Sequence, residues 1–300
     1  MQKSERGEKL LQKKYVGAII NSIKNQNYYK RTKMSEMKNK TLRFMAVGDV
    51  VGKNGLSYIQ KNLWHIRSRY NVDICIVNGE NSAPGNGITK ESAETLFVSG
   101  ADVITTGNHV FRRAEVYTYL DDKTTVLRPA NYPPSCPGFG SGVFELCGVR
   151  VLMMNLLGNV YMESLEDPFV TAQRILDREK GGYDIAVCDI HAEATSEKLA
   201  FAHHFDGRIN IVFGTHTHVQ TNDAKILPGG TGYITDLGMT GPEDSVLGVK
   251  KEIIIKRFMT KMPSRFEEAD GETVFCAALF DYDTVTKKVC GTQAVCLKDR

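Results

Sequence analysis

Three hundred residues with 42% hydrophobic content are enough to bury one large core or two small ones. The longest apolar runs fall well short of the ~18 residues a membrane span requires, and Val16 to Ile20 is too short for a signal-peptide core. The net charge of +3 divides into +8 over residues 1–41 and −5 over the rest, so a basic leader precedes a mildly acidic body.

Seven cysteines, at 75, 136, 147, 188, 276, 290 and 296, include no C-x-x-C pair. Cys75, Cys188 and Cys276 lie in apolar runs, where a thiol behaves as a small hydrophobe. This usage suits a reducing, cytoplasmic setting better than a disulfide framework.

In chain order, Leu11, Tyr15, Ile19 and Ile23 recur every four residues and predict a short amphipathic helix, followed by a polar, basic linker over 24–41. Such a leader can contact an anionic surface or nucleic acid, but the plainer readings are preferred: a solvated extension, or residues upstream of a start at Met34 or Met37. From 42 the pattern becomes short apolar runs separated by helical stretches. Strands are expected at 42–47, 73–77, 102–106, 149–155, 184–189 and 209–213, with helices at 55–70, 89–100, 112–121, 167–180 and 195–206. This alternation implies an α/β domain over 42–300 whose sheet is covered by helices on both faces. After about 230 the helices are expected to stop, leaving strands at 231–237, 249–258, 272–282 and 287–297 in an antiparallel region.

The chemistry-bearing residues follow the strands at their C-terminal ends, where open α/β sheets bind ligands. Asp49 follows the first, Glu80 and Asn81 the second, Asn108 and His109 the third, His191 a later one, and His216 and His218 the next. Taken singly, Asp49 suits a turn or cap, Glu80 a solvated pair, and His191 a structural role. Together they form a mixed oxygen and nitrogen donor set without thiolate, which suits iron, manganese or zinc. His216 and His218 would face opposite ways on a regular strand, so an irregular turn is needed to aim both at neighbouring ions. Gly48, Gly79, Gly107 and Gly214 precede these residues and permit sharp turns and close approach. His65, His203 and His204 fall on expected helices and are read as structural. Arg112 and Arg113 begin a helix, within reach of a substrate phosphate or of solvent. Gly48 to Asn54 is one residue short of a phosphate loop and lacks its Ser/Thr, and neither G-x-G-x-x-G nor G-x-S-x-G is present.

The strings GDVVGKNG, VNGENSAPGNGIT, RPANYP, DIHAEATSEK, GTHTHVQTND and LPGGTGYITDLGMTGP resemble the calcineurin-like metallophosphoesterase superfamily, and within it the bacterial YmdB-like branch. The likeness runs from about residue 42 to about residue 285. It implies a four-layer α/β/β/α sandwich with mixed sheets, a dinuclear centre of divalent iron, manganese or zinc, and self-association. It also implies hydrolysis of 2′,3′-cyclic nucleotides, or of a cyclic RNA end, by a metal-bridging hydroxide. By the same resemblance Asp49, Asn81 and His218 would hold one ion, Asn108, His191 and His216 the other, with Glu80 between them and His109 as general acid. Val51 stands where the wider superfamily has a histidine ligand, Glu80 where it has an aspartate, and Val110 where an acid orients the histidine. The last departure leaves His109 without an evident orienting partner. A phosphatase or nuclease acting on another ester, and an RNA-binding regulator with a vestigial metal site, are the competing expectations.

Overall fold

The computed structural model describes residues 41–299; the basic leader and its expected helix lie outside the described residues, save Thr41. Strand β1 (Thr41–Val47) shows how the layers arise. Leu42, Phe44 and Ala46 point toward a second sheet, while Met45 and Val47 point toward helices. A strand buried on both faces has no regular polar alternation, which is why 42–47 reads as an apolar run broken only by Arg43.

The chain continues through β2 (Asp49–Val50), α1 (Gly52–Arg69), β3 (Ile74–Asn78), α2 (Lys90–Ser99), β4 (Val103–Thr105), a 3-10 turn at Ala114–Val116, α3 (Tyr117–Asp122) and β5 (Val126–Leu127). Helix α2 starts in a reciprocal capping box between Thr89 and Ser92 and ends at Gly100 in the left-handed region. The second sheet is then built from β6 (Ser141–Leu146), β7 (Val149–Leu157), α4 (Pro168–Arg178), β8 (Ile185–His191), α5 (Thr195–His204), β9 (Ile211–Thr215), β10 (Lys225–Ile226) and β11 (Gly232–Ile234). Asp167 caps α4 by accepting from the amides of Phe169 and Val170, with Pro168 in the first turn.

The chain returns to the first sheet with β12 (Met239–Pro242), α6 (Lys251–Thr260), β13 (Thr273–Asp283) and β14 (Lys288–Lys298). The first sheet has the order β2-β12-β13-β1-β3-β4-β5, with β14 on the other edge of β13. The second has the order β10-β11-β9-β8-β7-β6. Strands β1, β3, β4 and β5 run parallel, as do β7, β8, β9 and β11, while β13 lies antiparallel to β1 and β14. Both sheets are therefore mixed, and they sandwich one apolar layer between two layers of helices. This is the α/β/β/α arrangement.

Three expectations are corrected. Residues 251–260 are helical rather than part of a strand at 249–258, so helices do not stop at 230. Three consecutive isoleucines suit a strand buried on both sides, but here Ile254 alone of them is buried, while Ile255 and Phe258 remain exposed. With one face against the protein, the segment satisfies its backbone locally as a helix. The helix expected at 112–121 is a 3-10 turn followed by a six-residue helix. The C-terminal region is not uniformly antiparallel, because β11 joins β9 and β12 joins β2 in parallel. No helix among the described residues is long and apolar enough to cross a membrane.

Candidate metal centre

The C-terminal ends of β1, β3 and β4 in one sheet meet those of β8 and β9 in the other, and the eight expected side chains converge there. Their contacts fall into two groups with Glu80 between. On one side His218 Nε2 lies 3.2 Å from Asn81 Nδ2 and 3.7 Å from Asp49 Oδ1. On the other, His191 Nε2 lies 3.0 Å from Asn108 Oδ1 and 3.1 Å from His216 Nδ1. Glu80 Oε1 accepts from Asn81 Nδ2 at 3.0 Å and sits 3.3 Å from His191 Nε2. Ligand atoms of Glu80, His191 and His216 lie within 4.8 Å of one another.

Backbone geometry explains how one short segment supplies two imidazoles. His216 and His218 have φ of 98° and 63°, a region that side chains other than glycine rarely enter. This is the irregular turn that the i, i+2 spacing demanded, because a regular strand would throw the rings to opposite faces. The turn is gripped from beneath. Lys198 Nζ donates to the Thr215 carbonyl at 2.8 Å and to Asp236 Oδ2 at 2.7 Å, and Asp236 Oδ2 also accepts from the Thr217 amide at 3.1 Å. Gly214 leaves room for that lysine, since a Cβ there would stand 2.7 Å from Lys198 Cδ and 1.9 Å from the Thr235 carbonyl oxygen.

Two observations show that the residues fit cations. Asp49 is fully buried, yet its Oδ1 has no hydrogen-bond partner, an arrangement costly for a carboxylate unless a cation sits against it. Gly107 leaves open a space in which a Cβ would lie 2.2 Å from Glu80 Oε2 and 2.3 Å from His191 Nε2. The electrostatics point the same way. Burial pushes the Asp49 carboxyl up, opposed by His218 and His191. Burial also acts to raise Glu80, but His191 and His109 outweigh it and hold that carboxyl well below the usual range. Burial acts to lower His191, yet Glu80, Asp49 and Asp189 carry it up to about 9. His216 is pushed down to about 3 by burial and by His191, which leaves its ring neutral with a lone pair to offer. One proton on His191 thus supplies positive charge to a carboxylate-rich pocket that a metal ion would neutralise more fully.

His109 has its orienting partners after all. Its Nδ1 lies 3.1 Å from Glu80 Oε1 and 3.0 Å from Asn81 Oδ1, and its amide donates to Glu80 Oε2 at 3.2 Å. Val110 is fully buried in the helix-facing core and plays no part in this. Arg113 donates to the carbonyls of Pro84 and Asn86, in the loop that follows Asn81. His65, His203 and His204 are exposed on helices α1 and α5.

Sequence reasoning passed over Asn78, Thr105, Asp189, Glu193, Lys198, Thr215 and Asp236. Of these, Asp189 lies two positions before His191 in β8, the strand period that places both on one face, and this signal could have found it.

A family model described as YmdB-like protein matches residues 45–295. A Bacillus subtilis (strain 168) relative named 2′,3′-cyclic-nucleotide 2′-phosphodiesterase is 42% identical over 258 residues, spanning 86% of this chain and 98% of that protein. Among solved structures, a hypothetical protein from Thermus thermophilus is 39% identical with a TM-score of 0.81, over 86% of this chain and all of that one. A phosphatase from Mycoplasma pneumoniae is 35% identical with a TM-score of 0.82, over 87% of this chain and 95% of that one.

Proposed function

The chain belongs to the YmdB-like family, and from that premise we propose that it is a metal-dependent phosphodiesterase that opens 2′,3′-cyclic nucleotides. The observation that carries the reading is the meeting of eight polar side chains from five strand ends around the unpartnered Asp49 Oδ1. Asp49, Asn81 and His218 would hold one divalent cation, Asn108, His191 and His216 a second, and Glu80 would lie between the two. Iron, manganese and zinc all accept this donor set. When bound, a pair of such ions makes water acidic enough to attack near neutral pH and offsets charge on the phosphoryl oxygens.

The protein's own groups supply the remainder. Glu80 and Asn81 face Nδ1 of His109, so Nε2 is the atom that passes a proton to the departing ribose oxygen. General acid assistance of this kind is worth ~10²–10⁴-fold. The cyclic ester then opens to a nucleoside monophosphate. The reading includes a cytoplasmic location, with which the buried thiols of Cys75, Cys188 and Cys276 agree, and self-association, which light scattering of the purified chain would test.

The direct experiment incubates the metal-loaded chain with 2′,3′-cyclic AMP, 3′,5′-cyclic AMP and p-nitrophenyl phosphate esters, each with a chelator control. Turnover of 2′,3′-cyclic AMP alone, abolished by chelator, is the expected result. Preference for another ester would move the assignment to a different phosphatase or nuclease activity. Turnover of none would end it.

A further inference from the structure

An imidazole that binds a metal presents one ring nitrogen to the cation and keeps its proton on the other, where a carboxylate, carbonyl or water receives it. In this chain that second nitrogen has a different partner in each of the three histidines, and each partner dictates where the proton sits. His218 Nδ1 lies 3.1 Å from the Leu247 carbonyl, which only accepts, so this nitrogen carries the proton and Nε2 is free. His191 Nδ1 lies 2.8 Å from Thr215 Oγ1, whose own hydrogen goes to Asp189 Oδ1 at 2.7 Å. A hydroxyl already donating to a carboxylate accepts from the ring, so Nδ1 of His191 is protonated and Nε2 faces Glu80 and Asn108. His216 is reversed: Nε2 lies 3.2 Å from Glu193 Oε2, and Nδ1 points inward, 3.1 Å from His191 Nε2.

Asp189 is fully buried between the sheets, and its second oxygen accepts from Thr105 Oγ1 at 2.6 Å and Asn78 Nδ2 at 3.1 Å. The carboxylate is thereby fixed by side chains from β3, β4 and β9, and it cannot swing away from Thr215. Glu193 is half exposed and makes its contact from the chain just beyond β8.

We infer that Asp189, acting through Thr215, and Glu193 are positioning residues that set the ligating atoms of the metal centre as Nε2 of His191 and Nδ1 of His216. This rests on the two-cation reading above. It assigns work to two carboxylates and a threonine that would touch neither cation nor substrate.

Zinc is diamagnetic, so the full chain labelled with ¹⁵N-histidine and loaded with Zn²⁺ reports each ring by long-range ¹H–¹⁵N correlation. The expected spectrum has His191 protonated at Nδ1 and His216 at Nε2, each with the other nitrogen shifted by zinc. The opposite tautomer at either ring overturns the inference. Zn²⁺ affinity, measured by competition with a chelator, should fall ~10–100-fold in Glu193→Ala and in Thr215→Val. Thr215→Ser, which keeps the hydroxyl, should bind as the unaltered chain does. Glu193 lies at the surface, so Glu193→Ala tests the inference even where Thr215→Val does not fold. Unaltered protein that takes up no Zn²⁺ sinks the two-cation reading and this inference together. Tight binding by the unaltered chain and equally tight binding by Glu193→Ala and Thr215→Val sinks the inference alone.

Discussion

Replacing Lys198 by methionine keeps the length of the side chain and removes its charge from a place where no water reaches. Lys198 and Asp236 are 0% and 1% exposed, so the variant leaves a buried carboxylate with only the amides of Thr217 and Gly238 to stabilise it. Breaking one side of such a pair costs about 3–5 kcal/mol. Removing both charges in Lys198→Met/Asp236→Asn should recover most of that loss, because no isolated charge then remains buried. At roughly 2–4 °C per kcal/mol for a chain of this size, the single variant should melt on the order of 10 °C lower. Urea unfolding in the presence of chelator excludes any contribution from bound metal, and the single tryptophan, Trp64 on α1, gives the signal. A single variant within about 1 kcal/mol of the unaltered chain, or a double variant less stable than the single one, would refute the reasoning.

Glu80→Ala and His216→Ala should lose bound metal together with activity, while His109→Ala should keep its metal and lose ~10²–10⁴-fold in kcat; elemental analysis beside turnover separates them, and metal loss in His109→Ala would contradict its role. Gly107→Ala places a methyl 2.2 Å from Glu80 Oε2 and 2.3 Å from His191 Nε2. It should cost about 1–3 kcal/mol of stability and lower metal content, so full occupancy by the same elemental analysis would count against the pocket as described. In the metal-free chain His191 holds its proton up to about pH 9, and a cation must displace that proton from Nε2. Apparent affinity should therefore climb with pH, about tenfold per unit between 7 and 9, and level off above. Titrations at several pH values check this, and a flat profile below 9 would refute it.

The fold was legible wherever burial alone decides structure. The runs Leu42 to Val47 and Ile185 to Ile190 are apolar but for Arg43 and Asp189 because helices cover one face and a second sheet the other, so both showed as strands. The strand ends showed because glycine followed by a polar residue interrupts such runs abruptly. What stayed hidden depends on partners distant in sequence. Ile253 to Ile255 have the composition of a strand, and only the lack of a second covering layer makes them helical. Gly142 and Val143 in β6 are half-buried and carry no clear alternation, so that strand shows little sign of itself. Lys198 and Asp236 look like ordinary surface charges in the sequence; their pairing is a property of the packed chain. Val110 beside His109 suggests a histidine with no orienting partner, but in the structure Glu80 and Asn81 fill that place from another strand end.

The strand that closes the first sheet on β1 is β13, which comes near the end of the described chain. Asp49 follows β1 directly, and its neighbour Gly48 donates its amide to the Cys276 carbonyl of β13. The wall of the pocket that carries Asp49 is therefore braced by a strand that follows all the expected ligands in the sequence. A chain cut before Thr273 would keep every expected ligand yet leave Gly48, beside Asp49, without the carbonyl that anchors it.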